Sequence, residues 1–270
     1  MFNLAVEKYC LLYTMDIAKG TKINKLLACT HPSGLLFSEW LRRQGYSDQL
    51  QKRYRDTGWL TSLCKGVMYR SGSKLSAYAS LASSNEQQGT TYRVAAHSAL
   101  ERAGFNHFVP MGKPVLSVAL PAGNKRPAWM KNEEFDMTFC PFTTDTFEYP
   151  EVDTYKEYGG TLLVSSPEQA FLECLLLAPK QYSYMDLYYI MEQLVTLRSD
   201  VVQRLLETTA NFRIKRVFLY MAEKAGHYWY EELDSSRIET GTSKLQLEPN
   251  GIYNVKYKMT IPKDLETYEG

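Results

Sequence analysis

The fold of this chain is decided by the stretch from Leu36 to Arg70, which reads LFSEWLRRQGYSDQLQKRYRDTGWLTSLCKGVMYR. Ser38 begins a short helix that Gly45 ends, because glycine readily adopts the backbone conformation that terminates helices. Ser47 then caps a second helix from Asp48 to about Thr57, since a serine hydroxyl can accept a hydrogen bond from an unpaired amide of the first turn. The stretch therefore predicts two helices separated by a short turn.

Two short extended runs follow the second helix. They cover Trp59 to Cys64 and Val67 to Arg70, and Lys65-Gly66 between them is typical of a tight turn. A helix, a short turn, a second helix and a hairpin make the order of a winged helix-turn-helix. A further helix from Thr21 to Cys29 has one apolar face, and we expect it to pack beneath the motif.

The second helix of the motif has a polar outer face. At about 100° per residue, Leu50 and Tyr54 fall on one side and should point inward. The other side and its flanks carry groups that can hydrogen-bond base edges and phosphates, although a solvated surface is the usual role of a run of charges. With residues of the first helix and of the hairpin, we predict a DNA-binding set of Arg42, Arg43, Ser47, Gln49, Gln51, Lys52, Arg53, Arg55, Lys65 and Arg70.

Charge is distributed unevenly along the 270 residues. The net charge is +1, but residues 1–74 hold twelve Lys and Arg against five Asp and Glu, and the remainder holds nineteen against twenty-five. A basic head and an acidic body predict nucleic-acid binding confined to the head. Because Ser83 to Gly89 is polar enough for a linker, we expect a winged helix-turn-helix domain at 1–82 and a larger domain at 90–270.

The second domain mixes strands and helices, so the predicted fold class is α+β. Its best-marked helix starts at Ser166, with Pro167 at the first position and Gln169 at the capping-box position. The other predicted elements are strands at Val115 to Leu120, Phe135 to Phe139 and Thr161 to Val164, helices at Lys74 to Ala82, Tyr184 to Val195, Asp200 to Thr209 and Arg213 to Ala225, and strands in the tail.

Several classes of protein are excluded or disfavoured. The five cysteines (Cys10, Cys29, Cys64, Cys140, Cys174) are scattered, without the spacing of a zinc site or a disulfide framework. Charges interrupt the apolar N-terminus, where Met1 or Met15 could be the start, and no apolar run reaches the length of a membrane span. There is no glycine-rich phosphate loop. We expect a cytoplasmic protein without metal, cofactor, membrane or catalytic activity.

Two residue groups in the body are candidate sites. His97 and Glu101 lie four apart on a predicted helix and could form an acid–base pair, but a helix-stabilising contact is more common. Arg213, Lys215 and Arg216 form a second basic cluster beside the buried face of their helix. Solvated charge is the ordinary interpretation of that cluster, and a supporting contact to phosphate or to a partner is the alternative.

Several sequence blocks in order carry a family resemblance. In the head they include Trp40-Leu41, Gln49-Leu50, Gly58-Trp59-Leu60 and Gly66-Val67, followed by Tyr69-Arg70. In the body they are Ala96-His97-Ser98-Ala99-Leu100-Glu101, Ser165-Ser166-Pro167-Glu168-Gln169-Ala170 and Lys215-Arg216-Val217-Phe218-Leu219, followed by Ala222-Glu223 and His227. Through these blocks, from about Thr21 onward, the chain resembles the AbiE-type (AbiEi) antitoxins of type IV toxin–antitoxin systems.

The resemblance implies more than the residues do alone. It implies a repressor that binds inverted repeats in its own promoter, and an antitoxin that counters a nucleotidyltransferase toxin in abortive infection, a defence against phage. The residues by themselves also leave open a winged-helix transcription factor whose body senses a ligand or dimerises. They leave open as well an enzyme with a DNA-binding head that is centred on His97 and Glu101.

Overall fold

The computed structural model describes residues 21–105 and 112–269, and the alternative start at Met15 lies outside these ranges. The chain divides into two compact units. The first, called the head unit, contains the residues up to Tyr92 together with Lys125–Phe139 and Thr154–Leu162. The second, called the body unit, contains Arg93–Asn124, Cys140–Asp153 and Leu163–Gly270.

The head unit begins as a winged helix-turn-helix, which confirms the predicted fold of this region. Helix α1 is followed by a short strand, the two helices of the motif and the hairpin. The antiparallel sheet has the order β1-β3-β2, so the first strand lies beside the hairpin. The elements are α1 (Lys22–Cys29), β1 (Leu35–Phe37), α2 (Ser38–Arg43), α3 (Asp48–Asp56), β2 (Leu60–Cys64) and β3 (Val67–Arg70).

An apolar core joins these elements. Tyr54 of α3 lies in it as predicted, and Leu50 packs against its edge. The buried members are contributed by α1, β1, both motif helices and the hairpin: Ile23, Leu26, Leu36, Leu41, Tyr54, Leu60 and Met68. Because every element of the motif contributes to one cluster, the outer face of α3 is carried on a packed support.

The predicted linker at Ser83 to Gly89 is wrong. Helix α4 runs from Ala77 to Gln88, and Gly89 ends it with a φ of +66°. Three of its polar side chains, Ser83, Asn85 and Gln87, are buried and hydrogen-bonded to backbone groups of other segments. For example, the Asn85 amide donates to the carbonyls of Tyr92 and Thr161 at 2.8 and 3.1 Å. The polar composition that suggested a linker is therefore the composition of a mostly buried helix face that is hydrogen-bonded to other segments.

Helix α4 also covers the free edge of β1. The Gln87 side chain accepts a hydrogen bond from the Phe37 amide at 3.0 Å and donates to the Leu35 carbonyl at 2.8 Å. The Ser83 hydroxyl oxygen accepts from the Leu35 amide at 3.2 Å. The glutamine amide thus replaces a neighbouring strand, because an edge strand otherwise leaves its backbone groups without partners.

An aromatic cluster completes the head unit. Trp129 lies in a 3₁₀ turn, Ala128–Lys131, and its ring contacts those of Phe37, Phe135 and Phe139 at centroid distances of 6.4, 6.1 and 5.3 Å. The strand predicted at Phe135 to Phe139 is displaced: strand β6 covers Thr138–Thr143. Phe135 instead packs in the cluster, where its apolar ring is buried without belonging to a regular strand.

The body unit contains strand β4 (Arg93–Val94), helix α5 (Ala96–Arg102) and strand β5 (Val115–Leu120). Strand β4 pairs antiparallel with β5 and parallel with β8 (Gly160–Ser165). Strand β7 covers Val152–Glu157, and the five-stranded sheet has the order β6-β5-β4-β8-β7. The mixed sheet with helices confirms the predicted α+β fold class.

Four longer helices follow the sheet, and their predicted positions are confirmed within about two residues. The Ser166 hydroxyl accepts from the Gln169 amide at 3.3 Å, as predicted for the start of α6. Val195, predicted as the last residue of its helix, lies beyond it and is 61% exposed. The remaining elements are α6 (Pro167–Leu177), α7 (Tyr184–Gln193), α8 (Ser199–Thr208), α9 (Phe212–Ala225), α10 (Tyr228–Glu231), β9 (Leu245–Gln246), β10 (Ile252–Asn254), β11 (Met259–Ile261) and α11 (Lys263–Thr267).

A buried ion pair organises the first turn of α5. The Glu173 carboxylate accepts from the Arg93 guanidinium at 2.7 Å and from the Ala96 amide at 2.9 Å. Ala96 has a φ of +48°, a conformation that costs about 1–2 kcal/mol for a residue with a side chain. Because the amide of Ala96 is held by a buried carboxylate, the surrounding structure fixes this strained residue at the head of α5.

Candidate nucleic-acid interface

Helix α3 is defined at both ends by local contacts. The Ser47 hydroxyl oxygen accepts a hydrogen bond from the Leu50 amide at 3.3 Å, so the predicted cap is confirmed. At the other end the Thr57 hydroxyl donates to the Arg53 carbonyl at 2.7 Å, and Gly58 leaves the helix with a φ of +76°. These contacts satisfy backbone groups that helix ends leave unpaired.

The outer face of α3 presents polar side chains to solvent. Gln49 lies on it beside three basic residues, and the Arg55 guanidinium lies 3.2 Å from the sulfur of Met68. Asp48 is the acidic residue of the first turn. Exposed along this face are Ser47, Asp48, Gln49, Lys52, Arg53, Arg55 and Asp56. The face can donate hydrogen bonds to acceptors and can neutralise phosphate charge.

Gln51 does not belong to that face. It was predicted on the flank of the helix, but its side chain is only 1% exposed. Its amide nitrogen donates to the carbonyls of Ser38 and Tyr46 at 3.2 and 2.8 Å. The sequence did contain an indication of this burial: Gln51 lies three residues before the buried Tyr54, and residues i and i+3 share a helix face. Gln51 is therefore an interior residue, unavailable to a base.

The two arginines of α2 are exposed but engaged. The Arg42 guanidinium lies 3.3 Å from the Asp48 carboxylate, and that of Arg43 lies 3.9 Å from Glu39. Arg43 also donates to the carbonyl of Gln87 at the end of α4. Exposed ion pairs of this kind contribute about 0–1 kcal/mol, so a phosphate can replace the carboxylate partner at small cost.

The hairpin places two further cations at the surface. Lys65 lies in the turn between β2 and β3, and Arg70 ends β3. Tyr69 is held by Glu134, whose carboxylate accepts from the Tyr69 hydroxyl at 2.8 Å. The pKa of Tyr69 is raised, mainly by partial burial and secondly by this hydrogen bond. Trp59, directly before β2, is 46% exposed.

The second basic cluster is not a surface patch. Lys215 and Arg216 are only 3% and 2% exposed. The Arg213 guanidinium donates to the carbonyls of Leu175 and Ala178, both at 3.0 Å, at the end of α6. Three basic residues in four positions indicated solvated charge. The guanidinium groups of Arg213 and Arg216 instead bond to carbonyls of distant segments.

Arg216 holds the segment that precedes β9. It donates to the carbonyls of Thr240 and Ser243 at 2.6 and 2.7 Å. Lys215 lies 5.8 Å from the centroid of the Phe212 ring, and burial lowers its pKa. Both cations are therefore structural members of the body unit, and neither can reach a phosphate.

His97 and Glu101 show no ligand geometry. Burial lowers the pKa of His97, and the negative charge of Glu101 only partly opposes that effect. Its ring stacks on Tyr182 with a centroid distance of 6.1 Å. Residues 21–105 and 112–269 contain no group of three His, Cys, Asp or Glu side chains that could hold a metal ion. Among the same residues, no helix is long and apolar enough to cross a membrane.

A solved protein shares the fold. The crystal structure of the RV2827C protein from Mycobacterium tuberculosis superposes with a TM-score of 0.57, covering 83% of this chain and 85% of that chain at 16% identity. At that identity the similarity establishes the fold alone. No protein among those with curated descriptions matches this chain.

Two family descriptions together cover nearly the whole sequence. Residues 19–111 match the N-terminal domain of the AbiEi antitoxin transcriptional regulators. Residues 113–262 match the description "transcriptional regulator, AbiEi antitoxin, type IV TA system". The sequence blocks that carried the resemblance fall within these two matches. The chain therefore belongs to the AbiEi family of antitoxin transcriptional regulators of type IV toxin–antitoxin systems.

Proposed function

We propose that the head unit binds duplex DNA of the protein's own promoter and thereby represses its operon. The observation that carries the proposal is the outer face of α3, where Gln49 and three cations stand exposed on a packed core. Helix α3 enters the major groove, and the hairpin with Lys65 and Arg70 contacts phosphates. Such a division between base and backbone contacts is general for helix-turn-helix proteins.

The proposed contacts have distinct roles. Gln49 and Arg53 read base edges, while Lys52, Arg55, Arg42, Arg43 and Ser47 contact the backbone beside α3. The hairpin cations add affinity for any sequence. A repressor of inverted repeats binds as two copies, one on each half-site, because the symmetry of the protein matches that of the operator.

The proposed second activity is antagonism of a nucleotidyltransferase toxin in the cytoplasm, as part of abortive infection of phage-infected cells. Membership of the antitoxin family supports this proposal. We place the antagonist activity in the region from residue 90 onward and DNA binding in residues 1–82. A cut between residues 82 and 90 would pass through α4, so point variants of the full chain separate the two activities more safely than fragments.

Fluorescence anisotropy with a promoter duplex and a scrambled duplex tests the first activity. If the six cations assigned to the backbone (Arg42, Arg43, Lys52, Arg55, Lys65, Arg70) all contact phosphate, the slope of log K against log salt should be about −5 for each bound copy. Lys65→Ala should reduce that slope by about one and weaken both duplexes alike. The matched control is Lys180→Ala, an exposed lysine of the body unit, which should change neither. Equal binding of both duplexes, or a slope near zero, would refute the proposal.

Co-expression with the cognate nucleotidyltransferase toxin tests the second activity. A full-length Lys52→Ala/Arg53→Ala variant should lose repression of a promoter–reporter fusion and still restore growth of toxin-expressing cells. The expected separation follows from the exposed position of both side chains, whose removal leaves the core unchanged. Loss of protection in this folded variant would show that antagonism requires DNA binding.

A further inference from the structure

One buried side chain connects three segments of the head unit. The amide nitrogen of Gln51, in the middle of α3, donates to the carbonyl of Ser38 at the start of α2 and to that of Tyr46 in the turn. Its carbonyl oxygen accepts a hydrogen bond from the hydroxyl of Ser38. One amide thus uses both of its polar atoms to fix α3 against the preceding helix.

Ser38 continues this connection to the hairpin. Its backbone amide donates to the carbonyl of Gly66 at 2.9 Å, in the turn between β2 and β3. The neighbouring residue Phe37 pairs with Val67 in the sheet. Gln51, Ser38 and Gly66 therefore form a continuous hydrogen-bonded path from the middle of α3 to the tip of the hairpin.

We infer that Gln51 and Ser38 are positioning residues that fix the distance between α3 and the hairpin, so that both engage one DNA duplex at the same time. The inference rests on the proposed DNA binding of the head unit. Gln51 does not touch DNA, because it is buried and its polar atoms are occupied within the protein. The half-buried hydroxyl of Ser38 is engaged by Gln51. Both act through the exposed residues on either side of the path.

The physical reason lies in the kind of contact. The other buried residue of α3, Tyr54, packs in the apolar core, and apolar burial is non-directional. Hydrogen bonds between buried groups are directional, and a displaced donor leaves two carbonyls unsatisfied. The path therefore restricts the orientation of α3 more sharply than its core contacts do.

The test is a double-mutant cycle between the path and the hairpin, measured as promoter affinity of the full chain. Gln51→Met preserves length and approximate volume but cannot form the three hydrogen bonds. In the wild-type background it should weaken promoter binding about tenfold. In a Lys65→Ala background, where the hairpin contact is already lost, it should weaken binding less than about threefold. A merely destabilised head would lose the same factor in both backgrounds.

Two further variants guard against loss of folding and supply a control. Ser38→Ala removes one hydroxyl donor of the path and leaves the Gln51 amide bonded to both carbonyls, so it should show the same dependence on Lys65 with a smaller effect. Gln49→Ala changes a glutamine on the outer face of the same helix. It should lower discrimination between promoter and scrambled duplex by a similar factor in both backgrounds. The reason is that it removes a contact to DNA and leaves the distance between α3 and the hairpin unchanged.

Hydrogen–deuterium exchange provides a reading that needs no DNA. In Gln51→Met the amide of Ser38, bonded to Gly66, should exchange at least about fivefold faster than in the wild type, while amides of α6 keep their rates. Wild-type protein that fails to bind the promoter would refute the proposed function, and the exchange rates would still decide whether the path exists. Unchanged exchange at Ser38, or equal losses of affinity in both backgrounds, would overturn the inference.

Discussion

Replacing Gln87 by alanine should destabilise the head unit strongly, although the change removes only a polar side chain. The Gln87 amide bonds to the backbone of both Leu35 and Phe37, which are 1% and 2% exposed. Leaving one buried backbone group without a partner costs about 1–3 kcal/mol. Release of the ordered side chain returns about 1 kcal/mol of entropy. Two such groups lose their partner, so we expect a net loss of about 1–5 kcal/mol in the free energy of unfolding.

The neighbouring residue provides a matched control. Gln88 lies on the same helix, has the same side chain and is exposed. Gln88→Ala should change the free energy of unfolding by less than about 0.5 kcal/mol. Gln87→Met separates packing from hydrogen bonding, because it fills a similar volume without polar atoms. It should be nearly as destabilising as Gln87→Ala.

Urea titration followed by tryptophan fluorescence measures the loss, since Trp40, Trp59 and Trp129 all belong to the head unit. Hydrogen–deuterium exchange then locates it: the amide of Phe37 should lose protection in Gln87→Ala and keep it in Gln88→Ala. The reasoning is refuted if the two alanine variants are equally stable. It is also refuted if Gln87→Met restores wild-type stability, because volume rather than hydrogen bonding would then be what β1 requires.

Three further predictions concern other parts of the chain. Gly241→Ala should cost at least about 1 kcal/mol more than Gly226→Ala in urea titrations, because both glycines have positive φ but only at Gly241 would a Cβ lie 2.8 Å from a Phe212 ring atom. Burial opposes ionisation of Glu168, but hydrogen bonds from Arg198 outweigh it and lower the pKa of Glu168. The pair therefore stabilises the fold above the ordinary carboxyl pKa. This stabilisation is lost as the pH falls through the lowered pKa. Arg198→Ala should accordingly cost about 1–3 kcal/mol at pH 7 and distinctly less near pH 3 in parallel melts; an equal cost at both would contradict the ion pair. Asp48→Asn should raise promoter affinity about threefold to tenfold in anisotropy titrations, because an acid at the exposed start of α3 repels phosphate; unchanged affinity would place Asp48 away from the DNA.

The helix-turn-helix and its hairpin could be predicted from the sequence because their signals are local. The Ser47 cap acts within three residues, and Gly58 and Gly66 supply positive φ at the ends of adjacent elements. The same holds for α6, where Ser166 and Pro167 mark the first turn. The set of exposed residues that contacts DNA is still a prediction. So is the boundary between the DNA-binding region and the antitoxin region.

Polar side chains in the interior were beyond the reach of the sequence. The partners of Gln87 lie 50 and 52 residues away, those of Arg216 at least 24, and Gln51 bonds to Ser38 across thirteen. From the sequence alone, a glutamine or an arginine is expected at the surface, because burying its polar group without a hydrogen-bond partner is costly. Only the tertiary structure brings a distant carbonyl within hydrogen-bonding distance. The sequence therefore determined the helices and turns that local caps and glycines mark, while the assembled fold decided which polar groups became structural, because long-range hydrogen bonds make their burial favourable.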